Sequence, residues 1–192
     1  MAKYLAEDNC FNICIVGRNQ EKLEQKCAEI KQINQSIETM YLLADFDCLT
    51  KLEDYNQIYF PQLENKDIGI VVLNAGWGSP ALFSNLSGLD VERTVNINVL
   101  HVVYSIKALL PLLEKRFEVH KQRSAILVTS SGLGSIPFPN MLTYSASKSF
   151  ASFLAEGLNY ELKDKGIDVI SYQAGMVKTK LLGDELSKNG GF

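Results

Sequence analysis

A tyrosine and a lysine stand four positions apart in Tyr144-Ser-Ala-Ser-Lys148. On a helix that spacing places both side chains on one face. A phenol with a pKa near 10 is a poor acid or base at neutral pH. A nearby lysine ammonium favours the phenolate and lowers that pKa. The pair can then give a proton to a substrate oxygen or take one from it. By itself the spacing suits an ordinary surface helix equally well. Ser131 adds weight, because it precedes Tyr144 by thirteen positions and ends an apolar run. The intervening Gly132-Leu-Gly-Ser-Ile-Pro-Phe-Pro139 is rich in turn formers and can fold back on itself. The serine hydroxyl would then share a cleft with the phenol and hydrogen-bond a carbonyl oxygen as charge develops there. Its plainer role is to cap the next segment. Asn98 is a third candidate. Mid-helix asparagine is mildly unfavourable, and Val95-Asn-Ile-Asn-Val-Leu100 carries two.

These groups need a scaffold, and alternating elements supply one. Ala2 to Glu7 reads as a short helical fragment, and Phe11 to Val16 as a buried strand rich in branched residues. Gln20 to Gln35 carries Leu23, Cys27, Ile30 and Ile33 at helical spacing. Strands follow at Glu38 to Ala44, Asp67 to Leu73, Ala125 to Thr129 and Ile167 to Tyr172. Between them lie a weaker helix over Leu49 to Leu63 broken at Pro61, a long one over Asp90 to Glu118, and another over Tyr144 to Lys165 capped by Gly166. Helices alternating with continuously apolar strands imply a doubly wound α/β fold with a parallel sheet. One domain is expected over residues 1–182, with a polar tail over 183–192. Ligands of such sheets bind outside the carboxyl ends of the strands. That directs attention to Arg18, Asp45, Asn74, Ser130 and Ser131.

The 192 residues are 46% hydrophobic and 21% charged, with a net charge of −3. The acidic balance argues against a nucleic-acid binder that neutralises phosphates. No uncharged apolar run in the sequence approaches the roughly 18 residues of a transmembrane helix. Cys10, Cys14, Cys27 and Cys48 show no CxxC spacing, and only His101 and His120 could join them. Free thiols in a reducing compartment are expected, and no metal site.

Asn74-Ala-Gly76, Asn98-Val-Leu100, Ser130-Ser-Gly132, Tyr144-Ser-Ala-Ser-Lys148 and Gly175-Met-Val-Lys-Thr179 occur in one order along the chain. In that order they resemble the short-chain dehydrogenase/reductase family, over roughly Ala2 to Leu182. The stretches around Ser131 and Tyr144 are most similar to the 3-ketoacyl-CoA reductase and 17β-hydroxysteroid dehydrogenase branch. The resemblance implies a Rossmann-like fold and reversible hydride transfer between a nicotinamide cofactor and a carbonyl or alcohol. It makes Tyr144 the acid/base, Lys148 its activator and a ribose ligand, Ser131 the carbonyl polariser, and Asn98 the anchor of a relay water. Asn74, Ala75 and Gly76 would line the adenine-ribose side, with Asp45 near the adenine. Gly175, Val177 and Thr179 would reach the carboxamide and diphosphate. Arg18, at the end of a strand, suits the 2′-phosphate of NADP(H) better than the bare ribose of NAD(H). The family also implies pairing of two copies through the helices at 90–118 and 144–165, where Ala151, Ser152, Ala155 and Gly157 would permit close approach or face the chain's own sheet. A cytosol-facing location follows, with the endoplasmic reticulum open.

The chain departs from the family at three places. The family's glycine-rich turn and first strand have no counterpart ahead of Ala2, so the strands at Phe11–Val16 and Ile68–Leu73 must pair directly or leave free edges. Ala174 stands where a proline is usual, and the last strand and most of the substrate lid have no counterpart before Phe192. Two expectations follow: an incomplete version of a longer reductase, or a non-catalytic derivative that acts as a binding or scaffold subunit.

Overall fold

The structure, a computed structural model, describes residues 1–7 and 11–175. Cys10, Val177, Thr179 and the 183–192 tail lie outside the described residues. The elements run α1 (Ala2–Glu7), β1 (Ile13–Gly17), α2 (Gln20–Ile33), β2 (Thr39–Leu43), α3 (Leu52–Leu63), β3 (Ile70–Leu73) and α4 (Gly88–Val95). A π-helical turn (Asn96–Leu100) joins α4 to α5 (His101–His120). Then come β4 (Ser124–Ser131), a 3-10 turn (Gly132–Ser135), α6 (Leu142–Leu162) and β5 (Ile167–Ala174). The expected alternation is therefore present, and every strand pair is parallel.

By internal packing the chain divides after Glu64 into two compact units, each described in turn. In the first, β1 pairs with β2, with Ile13 opposite Thr39 and Gly17 opposite Leu43. Its core is Ala6, Ile13, Ile30 and Ile37, and Phe46 stacks on the fully buried Tyr55 with ring centroids 6.1 Å apart. Helix α2 starts at Asn19, whose side chain accepts from the Lys22 N–H. Pro61 does not break α3, which continues to Leu63. The carbonyl that the proline leaves unpaired is that of exposed Gln57, where water can take it.

The second unit holds a three-stranded sheet in the order β3-β4-β5. The core is built on Ile126 and Val128 of β4, Ile167 and Val169 of β5, Leu109 and Leu113 of α5, and Ala151 and Ala155 of α6. Gly166, at φ 71°, ends the α6 segment and lies against Phe117, where a Cβ would clash with the ring. The stretch Gly88–His120 is long and apolar enough to cross a membrane by length and composition. Val102, Ile106, Leu109 and Leu113 on it are buried in the protein core.

Candidate functional site

Strands β3 and β4 end side by side, and the residues at those ends meet the first half of α6. Leu73 opposes Val128, so Asn74 to Gly76 emerge beside Thr129 to Ser131. Thr129 Oγ1 donates to Asn74 Oδ1 at 3.1 Å, tying the two strand ends together. Lys148 is 4% exposed, and its Nζ donates to the Thr129 carbonyl at 2.8 Å. A Cβ on Gly76 would lie 3.3 Å from that Nζ and 3.7 Å from Asn98 Oδ1. The glycine therefore lets the loop after β3 come this close to the amine, where any other side chain would press on it.

Asn98 sits on the π-helical turn. Such turns widen a helix locally and recur at functional sites. Its Oδ1 accepts from the Trp77 N–H, and its Nδ2 donates to the Trp77 carbonyl, both at 2.8 Å. The second Nδ2 proton goes to Ser147 Oγ at 2.8 Å, and Ser147 in turn donates to the Tyr144 carbonyl at 2.7 Å. Asn98 thus clamps the loop after β3 to the helix that carries Tyr144 and Lys148. Both of its amide protons are committed, so a relay water could take only its oxygen. Ser147 escaped the sequence reading, because nothing in Tyr-Ser-Ala-Ser-Lys marks one serine as a bridge. The Trp77 ring lies 5.0 Å from the Arg93 guanidinium, and its indole N–H is buried without a hydrogen-bond partner among the described residues.

Tyr144 is half-buried. A Cβ on Gly78 would come within 2.8 Å of its ring, so the loop after β3 lies flat against the phenol. Burial pushes the Tyr144 pKa up, and a hydrogen bond with Ser131 pulls it back. This differs from the expectation that Lys148 lowers it. The Lys148 Nζ stands 5.8 Å from the ring centroid and gives one of its hydrogen bonds to the Thr129 carbonyl. Lys148 itself is pushed down to about 8 by burial. Ser131 meets the phenol, and its Oγ caps the 3-10 turn by accepting from the Leu133 N–H at 3.2 Å. His101, 3% exposed and one turn beyond Asn98, is pushed down to about 3 by burial and then by the Lys148 charge. It is a neutral imidazole, 3.1 Å from Ser105 Oγ.

The structure thus brings Asn98, Ser131, Tyr144, Lys148, Asn74 and Gly76 together in the second unit, with Ala75 between the last two. Gly175 directly follows β5 and is exposed. In the first unit, Arg18 and Asp45 follow β1 and β2, and their side chains form an exposed ion pair at 3.8 Å. Of the small residues on α6, Ala151 and Ala155 are buried and Ser152 is hydrogen-bonded to Ser130, so these face the chain's own sheet. The outward face carries Phe150, Phe153 and Tyr160.

A family model for short chain dehydrogenases matches residues 1–190. The very-long-chain 3-oxoacyl-CoA reductase of Anas platyrhynchos is 33% identical over 184 residues, covering 94% of this chain and 56% of its own. The "inactive hydroxysteroid dehydrogenase-like protein 1" of Pongo abelii is 31% identical over 176 residues, covering 89% and 50%. The chain therefore spans about half the length of the curated relatives it matches. Among solved structures, a short-chain dehydrogenase from Sphingobium yanoikuyae in complex with NADPH superposes with a TM-score of 0.81 at 26% identity. That likeness covers 95% of this chain and 67% of the other.

Proposed function

Because the chain belongs to the short chain dehydrogenase family, we propose that it carries the catalytic face of a reductase of 3-oxoacyl-thioesters or related ketones, with NADP(H) as the hydride donor. The observation that carries this reading is the buried Lys148, closely approached by Gly76 on one side and by Tyr144, itself bonded to Ser131, on the other.

The residues present suit the nicotinamide end of such a cofactor. Lys148 has two ammonium protons beyond the one given to Thr129, and sugar hydroxyls are natural acceptors for them. Asn74, Ala75 and Gly76 would line the same side, and Gly175, Val177 and Thr179 are proposed contacts for the rest. When bound, the nicotinamide supplies the hydride. The chain's own groups manage the proton. Tyr144 gives its phenolic proton to the carbonyl oxygen as the carbon is reduced, leaving an alcohol and a tyrosinate. Ser131 donates a hydrogen bond to the same oxygen while charge develops there. A proton from solvent then converts the tyrosinate back to the phenol. Asn98 and Ser147 hold the helix and the loop at the spacing this requires.

Arg18 supports the choice of NADP(H). It is exposed, and its pairing with Asp45 is long and exposed, an interaction worth about 0–1 kcal/mol. A 2′-phosphate can replace it with bidentate, charge-assisted bonds. The test is calorimetric titration with NADPH and NADH, followed by the loss of reduced-nicotinamide absorbance with a 3-oxoacyl-CoA. NADPH binding at least about tenfold tighter than NADH, with turnover, supports the reading. Tighter NADH binding removes the role given to Arg18. The relative named inactive favours a second reading, a non-catalytic binding subunit. Absence of binding to either nucleotide by the protein at its natural length would establish that alternative. Pairing of two copies through α5 and α6 is proposed through their outward faces, and sedimentation tests it: a monomer at all concentrations rejects it.

A further inference from the structure

Two consecutive residues of β4 grip both ends of Lys148. Thr129 takes the side chain, accepting from Nζ at 2.8 Å. Ser130, 2% exposed, takes the backbone, its Oγ donating to the Lys148 carbonyl at 2.7 Å. That carbonyl lies inside α6, where the helix ladder already uses it. The extra bond is therefore not needed to satisfy an orphan group, and its effect is to pin this turn of α6 against the strand.

Ser130 is not alone. Ser152 Oγ donates to Ser130 Oγ at 2.7 Å, and Ser171 Oγ donates to Ser152 Oγ at 3.2 Å. The donations run in one direction, from Ser171 on β5 through Ser152 on α6 and Ser130 on β4 to the Lys148 carbonyl. A hydroxyl has one proton to give. Receiving a proton from Ser152 turns the Ser130 proton away from Ser152 and toward Lys148. Chains of this kind also strengthen each member by polarisation. Ser152 is four positions beyond Lys148, so both lie on the helix face turned to the sheet.

We infer that Ser130 and Ser152 are positioning residues for Lys148, setting the height of its backbone on β4 so that the amine reaches the Thr129 carbonyl and lies close against Gly76. Neither touches the reacting groups. Only the reason why this placement matters rests on the proposed reductase reading. The titratable neighbours of the amine are Tyr144, on its own helix, and His101 of α5, which is neutral.

The test follows Lys148 rather than turnover. The protein is prepared with 13C-labelled lysine, the Lys148 side-chain resonance is assigned from its loss in Lys148→Met, and it is followed from neutral to alkaline pH. The wild-type midpoint should lie at about 8. Loosening the grip admits water and favours the charged form, so Ser130→Ala and Ser152→Ala should move the midpoint upward, toward the ordinary lysine value of about 10.4. A shift of about half a pH unit or more is expected, larger for Ser130→Ala, with Ser130→Thr restoring the wild-type value. Folded alanine variants that melt lower yet keep the wild-type midpoint would overturn the inference. If Ser130→Ala does not fold, Ser152→Ala decides the matter, since the direct bond to Lys148 survives in it. Failure of the wild type to oxidise NADPH would refute the reductase reading and leave this result standing.

Discussion

Gly78→Ala places a methyl group where the Tyr144 ring already lies. The added Cβ would sit 2.8 Å from Tyr144 Cδ2 and 3.2 Å from Met141 Cε, whereas ordinary contact begins at 3.4 Å. Met141 can turn its thioether aside, but a phenol ring has no such freedom. The ring must therefore move by at least about 0.6 Å. Overpacking of this size costs about 1–3 kcal/mol. Displacement of a reacting group by about 1 Å can cost on the order of 100-fold in rate. The expected outcome is a fall in kcat of about 10- to 100-fold, with NADPH affinity within about threefold of wild type, since the loop backbone at Trp77, next to Gly76, is held independently by Asn98. The assay is steady-state oxidation of NADPH with a saturating ketone, beside a calorimetric titration. Wild-type kcat in a folded Gly78→Ala protein would refute the claim that this loop sets the position of the phenol.

Two further substitutions probe the same geometry. Lys148→Met should raise stability at neutral pH while abolishing turnover, because a buried ammonium with a pKa of about 8 costs about 3 kcal/mol relative to one in water. That cost is fully present below pH 8, shrinks as pH rises through the folded and then the unfolded pKa, and vanishes above about 10.5; a stability difference between variant and wild type that does not narrow from pH 8 to 10.5 would count against it. Gly157→Ala on exposed α6, where an added Cβ meets nothing, should stabilise the protein by about 0.5–1 kcal/mol without changing activity, as read by denaturant melts.

Some of this was legible in the residues and some was not. The alternation of apolar runs with helical spacing marked every strand and helix to within a few positions, because a parallel sheet must be apolar along its whole length. Tyr144, Lys148, Ser131 and Asn98 were identifiable from type and order. Their mutual geometry was not. That Lys148 donates a hydrogen bond to the Thr129 carbonyl depends on how deep α6 sits on β4, which no local pattern encodes. Ser147 and Ser152 read as helix-compatible small residues, and only the packed structure shows them as bonded hydroxyls. Gly78 carried no signal either, since its neighbour Tyr144 lies 66 positions away in the sequence. The pairing of the strands was left open because apolar runs define strands and not their partners.

The central claim is that Tyr144 transfers the proton and is not required for holding the cofactor. Removing only its hydroxyl tests this directly. In Tyr144→Phe, turnover of a ketone with NADPH should fall by about 10²- to 10⁴-fold, the ordinary contribution of a general acid, while calorimetry shows NADPH bound within about threefold of wild type. A phenylalanine variant that reduces the ketone at the wild-type rate would contradict the account.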